Sequence, residues 1–221
     1  LLQDRAFPMR LPIWLYCRLL FLFVRKIKTK VANTLGKRFI DELLKNNKLI
    51  IKEVNGIENL DSVETGAMIT CNHFNPFDSF AIEKTFRMSK QAENKKLYKV
   101  IREGNYTNFP GFYGFLFRHC DTLPLSSNKR TMIEFLKAVD TLLKKGEFIL
   151  IYPEQSMWWN YKKPKPLKDG AIKMAVKSNV PVVPIFITMK ESDIIGEDRF
   201  PSYGILYKHW KTNLPRWKSF R

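Results

Sequence analysis

The apolar positions of the chain fall into short runs and into longer stretches with a helical period. Short, mostly apolar runs predict buried strands at residues 49–54, 67–71, 97–101, 148–152 and 180–185. Stretches in which apolar residues return every three or four positions predict helices at residues 30–47, 79–88, 128–145 and 168–178. Strands that alternate with helices predict an α/β fold, in which a mostly parallel or mixed sheet has helices on both faces.

The most apolar stretch lies near the N-terminus. Residues 11–24 are fewer than a typical membrane span, and Arg18 interrupts them. Basic residues flank the stretch on both sides: Arg10, Arg25, Lys26, Lys28 and Lys30. Apolar side chains beside a basic cluster predict a helix in a membrane interface, a depth that suits Trp14 and Tyr16. A helix packed on the domain would give the same pattern, and the two interpretations are compatible.

The length of the chain, 221 residues, is enough for one good core. We expect three parts. Residues 1–47 form a helical membrane-associating segment, and residues 48–190 form the α/β domain. Residues 191–221 form a basic, aromatic segment to which the sequence assigns no role.

The charge of the chain indicates a polyanionic partner. There are 38 Lys and Arg against 21 Asp and Glu, a formal net charge of +17 at pH 7. Nucleic acid and an anionic membrane surface are the two main classes of partner for such a protein. The three cysteines are widely spaced and form no C-x-x-C pair, so neither a zinc site nor a disulfide framework is predicted.

One histidine stands where an open α/β sheet usually binds ligands. The strand at residues 67–71 leads into a turn that carries His73, and a helix is expected to follow, with Asn75 as its cap and Pro76 as its first residue. Asp78 then falls in the first turn of that helix. A neutral imidazole can take a proton from a hydroxyl, and a carboxylate on its other nitrogen fixes the tautomer. In the alternative interpretation, Asp78 only completes the helix cap and His73 is a hydrogen-bonded turn residue without a catalytic role.

Residues 72–78, Asn-His-Phe-Asn-Pro-Phe-Asp, resemble the N-H-x4-D signature of the glycerolipid acyltransferases. Three later passages are similar to further blocks of that family and follow in the same order: residues 121–130, Tyr-Pro-Glu at 152–154, and Val-Pro-Val-Val-Pro-Ile at 180–185. The passage at residues 56–60 resembles the G-x-E-N-L segment that leads into the family's domain. The resemblance covers roughly residues 51–188 and implies the family's α/β fold.

The resemblance also implies an activity. The family moves a fatty acyl group from an acyl thioester of coenzyme A or of acyl carrier protein to the free hydroxyl of a lysophospholipid. The acceptor implied here is 1-acylglycerol-3-phosphate, which gives phosphatidic acid. His73 would be the base and Asp78 would orient it. The residues in positions for substrate contacts are Asn72, Glu154, Lys129, Arg130 and Lys168. No metal and no bound cofactor are implied.

Three positions depart from the family pattern and leave the acceptor open. Ser126 stands where the second block usually ends in an arginine that contacts the acceptor's phosphate. In the third block, usually F-P-E-G-T-R-S, Gln155 replaces glycine and Met157 replaces arginine.

Two other functions remain open from the sequence. A basic nucleic-acid-binding module would explain the charge and the interleaved aromatic residues, although no nucleic-acid motif is recognisable. A catalytically altered lipid-binding protein of the same fold would explain the changed third block. We expect a peripheral or monotopic protein on the cytoplasmic face of a membrane, and we expect no nucleic acid partner.

Overall fold

The computed structural model describes residues 13–158 and 163–188, and it describes side chains from residue 18 onward except that of residue 19. The predicted C-terminal segment at 191–221 lies outside the described residues, as do the side chains of Trp14 and Tyr16.

A single five-stranded sheet organises the described chain. In chain order the strands are β1 (Ala67–Cys71), β2 (Leu97–Arg102), β3 (Thr122–Leu125), β4 (Phe148–Ile151) and β5 (Val182–Ile185). Their spatial order is β3-β2-β4-β1-β5, and each neighbouring pair is parallel. This confirms the predicted α/β class, and it resolves the choice between a mostly parallel and a mixed sheet in favour of parallel pairing.

Seven helices are described. They are α1 (Ile13–Lys45), α2 (Ile57–Asp61), α3 (Asp78–Met88), α4 (Glu103–Asn108), α5 (Gly111–His119), α6 (Lys129–Lys144) and α7 (Gly170–Ser178), with a short 3-10 turn at Lys90–Glu93. Helix α6 begins as predicted, because the Asn128 side chain accepts hydrogen bonds from the backbone N–H groups of Arg130 and Thr131. It ends at Lys144, and Gly146, two residues later, has a φ of 87°, in the left-handed region.

The core has two halves, one on each face of the sheet. One half packs α1 and α3 against β1, β4 and β5, with Leu43, Ile82 and Phe86 among its buried side chains. The other half packs α6 and α7 on the opposite face, through Val139 and Ala175. Two interior strands, β1 and β4, are buried almost throughout, as their short apolar runs predict.

One strand prediction is wrong, and one strand was not predicted. Residues 49–54 run without helix or strand, and Leu49 is buried because it packs into the core, so the apolar pattern there reflects burial and not strand pairing. Strand β3 was not predicted, and its sequence, Thr-Leu-Pro-Leu, carries a proline that disfavours a central strand. The structure places β3 at one edge of the sheet and β5, with Pro184, at the other, where proline is tolerated.

The predicted N-terminal helices form one continuous helix, α1, of 33 residues. Its C-terminal half packs on the domain through buried Ala32, Ile40 and Leu43, which agrees with the packed-helix interpretation. Its N-terminal half exposes large apolar side chains. Within the part of the chain that the structure describes, no helix has the length and apolar character that crossing a membrane requires.

An ion pair between α3 and β2 should make the stability of the fold depend measurably on pH. The Glu83 carboxylate lies 2.6 Å from the ammonium of Lys99 on β2 and 3.9 Å from the Arg87 guanidinium. Burial acts to raise the pKa of Glu83, but Lys99 and Arg87 outweigh it and hold that pKa below its ordinary value. The ionised carboxylate therefore stabilises the fold above the unfolded pKa of about 4.3, and this contribution is lost as the pH falls.

We predict that Glu83→Gln lowers the free energy of unfolding at pH 7 by roughly 1.5–3 kcal/mol, the usual range for hydrogen bonds to charged groups. Urea denaturation at pH 7 and at about pH 4 measures the effect, and the difference from wild type should shrink at the lower pH. Glu134→Gln is the control, because the Glu134–Lys137 pair is 67% exposed on both sides. An equal loss at both pH values would contradict the prediction.

Candidate active site

The histidine turn lies at the carboxyl end of β1, between the ends of β4 and β5. His73 comes two residues after the strand, and α3 begins at Asp78. The prediction that the helix starts at Pro76 is therefore wrong. The Asn75 side chain instead accepts a hydrogen bond from the backbone N–H of Phe77 at 2.9 Å, which closes a separate turn ahead of the helix.

The two residues of the predicted pair are in contact. Nδ1 of His73 lies 3.0 Å from Oδ2 of Asp78. The same oxygen accepts hydrogen bonds from the backbone N–H groups of Phe74 and Asn75, each at 2.9 Å. Because Oδ2 accepts all of these bonds, the proton of the imidazole belongs on Nδ1, and Nε2 keeps its lone pair. The imidazole is 22% exposed, so the ring is open to solvent on part of its surface.

Asp78 is fully buried, which makes its environment unusual for a carboxylate. Burial raises the pKa of Asp78 above its ordinary value, while the hydrogen bonds from His73, Asn75 and Phe74 act in the opposite direction. A buried carboxylate stabilises a positive charge next to it more strongly than an exposed one does. The imidazolium that forms when His73 takes a proton would therefore be stabilised at this position.

Glu154 holds the backbone on both sides of the site. Its Oε1 accepts a hydrogen bond from the backbone N–H of His73 at 3.1 Å, and its Oε2 accepts one from the backbone N–H of Lys165 at 3.2 Å. Glu154 follows β4, the neighbour of β1, so the parallel sheet brings it to the same edge as His73. The sequence predicted this placement. The two backbone bonds give Glu154 a positioning role, and substrate contact by Glu154 stays a prediction.

Two aromatic residues after β4 complete the support of the histidine. The Tyr152 ring stacks on the imidazole, with centroids 4.0 Å apart and planes 18° from parallel. The backbone N–H of Trp158 donates to the carbonyl of His73 at 3.0 Å. The imidazole is thus fixed by Asp78 at one nitrogen and by Tyr152 at one face, which leaves Nε2 as its reactive atom.

Asn72 and Cys71 have structural surroundings. The Asn72 side chain exchanges two hydrogen bonds with the backbone of Ile187, at 2.9 and 2.8 Å, and so ties the end of β1 to the chain after β5. A role for Asn72 in binding substrate remains a prediction. Burial, together with the charges of Asp78 and Glu154, raises the pKa of the Cys71 thiol well above its ordinary value. Cys71 is therefore a poor nucleophile at neutral pH.

The predicted basic contacts are not equally near the pair. The backbone N–H of Lys168 donates to Pro153 at 2.9 Å, which places this exposed lysine beside the third block. Lys129 and Arg130 are exposed at the start of α6, which follows β3. Since β3 is three strand spacings from β1, about 14 Å, these two residues do not join the cluster around His73.

The position that lacks the expected arginine is occupied by a buried polar contact. The Ser126 hydroxyl donates to the Glu103 carboxylate and accepts from the backbone N–H of Asn128. Ser126 therefore ends β3 with a local hydrogen-bond network instead of a positive charge.

One cation near His73 was missed by the sequence reasoning. Lys165 Nζ lies 2.6 Å from the Ser156 hydroxyl and 4.6 Å from the centroid of the Trp158 ring. The backbone N–H groups of Lys165 and His73 both donate to the Glu154 carboxylate. Only the fold distinguishes this lysine from its neighbours in a lysine-rich stretch, because the sequence pattern around it is uniform. No group of three or more metal-binding side chains occurs among residues 13–158 and 163–188.

Comparison with known proteins bears directly on this geometry. The family model described as Acyltransferase matches residues 51–188, which is more than half of the chain. The chain belongs to the Acyltransferase family. The matched range holds all five strands, the His73–Asp78 pair and Glu154. This confirms the family and the enzyme class, acyltransferase, that the sequence blocks predicted.

One curated relative is more specific. The chain is 28% identical over 134 residues to a chloroplastic 1-acyl-sn-glycerol-3-phosphate acyltransferase from Brassica napus. The match takes in 60% of this chain but only 36% of the relative. The chain therefore spans little more than a third of that protein's length.

We predict that His73→Ala lowers the rate of acyl transfer by roughly 10²–10⁴, the range expected for loss of a general base. Asp78→Asn should give a loss of similar order, because the amide cannot stabilise the imidazolium by charge. His119→Ala is the control, since His119 lies at the end of α5 and outside the pair. All three variants should keep the circular dichroism spectrum of the wild type. A folded His73→Ala protein with wild-type activity would contradict the assignment.

Proposed function

We propose that this protein transfers a fatty acyl group from an acyl thioester to the free hydroxyl of a lysophospholipid. The observation that carries the proposal is the His73–Asp78 contact of 3.0 Å at the carboxyl edge of the sheet, inside the range that matches the Acyltransferase family. Acyl transfer in general follows from the family. The acceptor, the donor and the membrane association are the parts that we propose.

The chemistry needs one base and no covalent intermediate. Nε2 of His73 takes the proton of the acceptor hydroxyl, and the oxygen attacks the thioester carbonyl. The new C–O bond forms, the C–S bond breaks, and the imidazolium returns its proton to the leaving thiolate. Asp78 holds the ring and balances its transient charge throughout. Cys71, as a buried thiol with a raised pKa, takes no part in this scheme.

The acceptor in this proposal carries a phosphate. The relative from Brassica napus is named for 1-acyl-sn-glycerol-3-phosphate, which is the acceptor we propose here, with phosphatidic acid as the product. The family's arginines are absent at Ser126 and Met157, so other cations must balance the phosphate. Lys165 is the best placed, because it is tied to the same carboxylate as His73. A second cation is Arg102, which is exposed at the carboxyl end of β2. That strand is two strand spacings, or about 10 Å, from β1.

An aromatic cluster beside the site suits an acyl chain. Phe77, next to Asp78, contacts Phe80, and Phe80 contacts Phe39 of α1 with ring centroids 5.6 Å apart. Phe39 in turn meets Phe112 and Tyr113 of α5, both of which remain partly exposed. We propose that the fatty acyl group of the donor lies along this cluster. Either acyl-CoA or acyl carrier protein would present the thioester, and no bound cofactor is needed.

The predicted reaction is tested with a panel of acceptors and donors. We expect purified protein to convert 1-acylglycerol-3-phosphate to phosphatidic acid, detected by mass spectrometry, with either acyl-CoA or acylated acyl carrier protein as donor. Monoacylglycerol, which offers a hydroxyl but no phosphate, should react more slowly because it has no charge for Lys165 to bind. The His73→Ala protein is the matched control. Vesicle binding without any acylated product would instead indicate the catalytically altered lipid-binding protein.

We also propose that α1 attaches the protein peripherally to a membrane. Large apolar side chains are exposed on its N-terminal half, including Phe21 at 67% and Phe23 at 61%. The basic residues Arg25, Lys26 and Lys28 follow immediately. An exposed apolar stretch beside basic residues is typical of helices that lie in the interface of an anionic bilayer. An enzyme for lysophospholipids also meets its acceptor at such a surface.

We predict that Phe21→Ser with Phe23→Ser weakens binding to anionic vesicles by about tenfold or more. The two side chains lie on nearly opposite sides of the helix, so at least one is buried in the interface, and one buried Phe contributes about 1.5–3 kcal/mol. Co-sedimentation with phosphatidylcholine–phosphatidylglycerol vesicles measures this. The control is Ile172→Ser with Val176→Ser, which removes two exposed apolar side chains from α7, on the opposite face of the sheet. Equal losses in the two double variants would show that α1 is not the attachment point.

A further inference from the structure

A concave site lies beside the amino ends of β2 and β3, away from the catalytic pair. A cavity of about 480 Å³ is lined by residues of α1, α5 and α6 and by the beginnings of β2 and β3. Tyr98 and Thr122, which line it, belong to the amino ends of their strands, whereas His73 follows the carboxyl end of β1. All five strands are parallel, so the cavity lies at the amino ends of the strands and the catalytic pair at their carboxyl ends.

Positive groups from three helices surround this cavity. Arg25 comes from α1, Arg118 and His119 from the end of α5, and Lys137 from α6. Burial lowers the pKa of His119, and the charges of Lys28, Arg118 and Arg25 lower it further. Three cations therefore raise the electrostatic potential at the His119 ring, and a positive potential of this kind favours the binding of an anion.

The two acidic residues of the cavity pair with Lys96 and Lys137, and neither forms an ion pair with Arg25 or Arg118. Asp121 accepts from the Asn33 side chain at 2.7 Å and pairs with Lys96, while Glu134 pairs with Lys137. The Arg118 guanidinium donates through Nη1 to the carbonyls of Tyr106 and Phe109, which do not neutralise it.

Arg25 is the least engaged of the cations. It is exposed and lines the cavity, and it makes no hydrogen bond or ion pair with any residue that the structure describes. Its position on α1 is one residue after the exposed apolar run that ends at Val24. The cavity therefore opens where the apolar part of α1 gives way to its basic part.

We propose that this cavity binds the phosphate of an anionic phospholipid headgroup, with Arg25 and Arg118 as its ligands. A phospholipid whose chains lie beside residues 20–24 would present its phosphate at the level of Arg25, at the boundary between apolar and basic side chains. The site is separate from the acceptor site and takes a lipid that is not consumed. It requires no acyl transfer, so a failure of the proposed reaction would leave it standing.

The experiment uses dihexanoyl phosphatidylglycerol, kept below its micelle concentration so that no charged surface forms. Isothermal titration calorimetry gives its dissociation constant. The NMR resonances of the His119 ring, assigned with the His119→Ala variant, report where it binds. We expect the lipid to shift these resonances and to raise the pKa of His119, since its phosphate offsets the neighbouring cations. Arg25→Gln should weaken binding at least about tenfold, the loss of a charge-assisted hydrogen bond.

Lys26→Gln is the matched control, because Lys26 is exposed on the same helix but does not line the cavity. It should change the dissociation constant by less than about twofold, since its charge is screened by solvent and salt. Equal effects of the two variants, or unmoved His119 resonances, would overturn the proposal. Inorganic phosphate should bind more weakly than the lipid. If it binds as tightly, the site takes free phosphate and the lipid assignment falls.

Discussion

The Asp78 carboxylate is the interaction on which the rest of the site depends. One of its oxygens receives the imidazole N–H and two backbone N–H groups, so a single atom sets the path of the turn, the start of α3 and the orientation of the ring. The carboxylate is fully buried, and the free energy lost with its hydration must be offset by those bonds and by the packing of α3. Catalytic geometry and local folding are thus the same set of contacts.

Parallel strand pairing supplies the second constraint. Because β4 lies beside β1 in register, the residues after β4 reach the histidine from the other side. Glu154 fixes the backbone of His73, Tyr152 covers one face of its ring, and Trp158 binds its carbonyl. On the other side, the Asn72 side chain links the end of β1 to the chain after β5 through two hydrogen bonds with the backbone of Ile187. A group held from three directions loses little further freedom when a substrate arrives, which is how a rigid scaffold contributes to rate.

The sequence predicted the parts of this arrangement that are local. The run at residues 67–71 predicted β1, and the cap residue Asn128 predicted α6, because each depends on neighbouring residues. The order of the four blocks predicted the family. Sequence-based prediction failed where the outcome depended on the whole fold. Leu49 looks like a strand residue only because it is buried, and the proline of β3 is acceptable only because that strand is at an edge. Lys165 looks like the neighbouring lysines in the sequence, and only the folded structure shows that its backbone N–H and that of His73 both donate to Glu154.

Helix α1 joins the exposed apolar run to the aromatic cluster without a break. A straight helix of 33 residues is about 50 Å long and turns by about 100° per residue. Its angular phase therefore links the side of the N-terminal half that rests on a surface to the direction in which the domain faces. Inserting a single residue between Val24 and Ala32 would leave every side chain in the site intact, yet it would swing the mouth of the catalytic edge through more than a quarter turn relative to that surface.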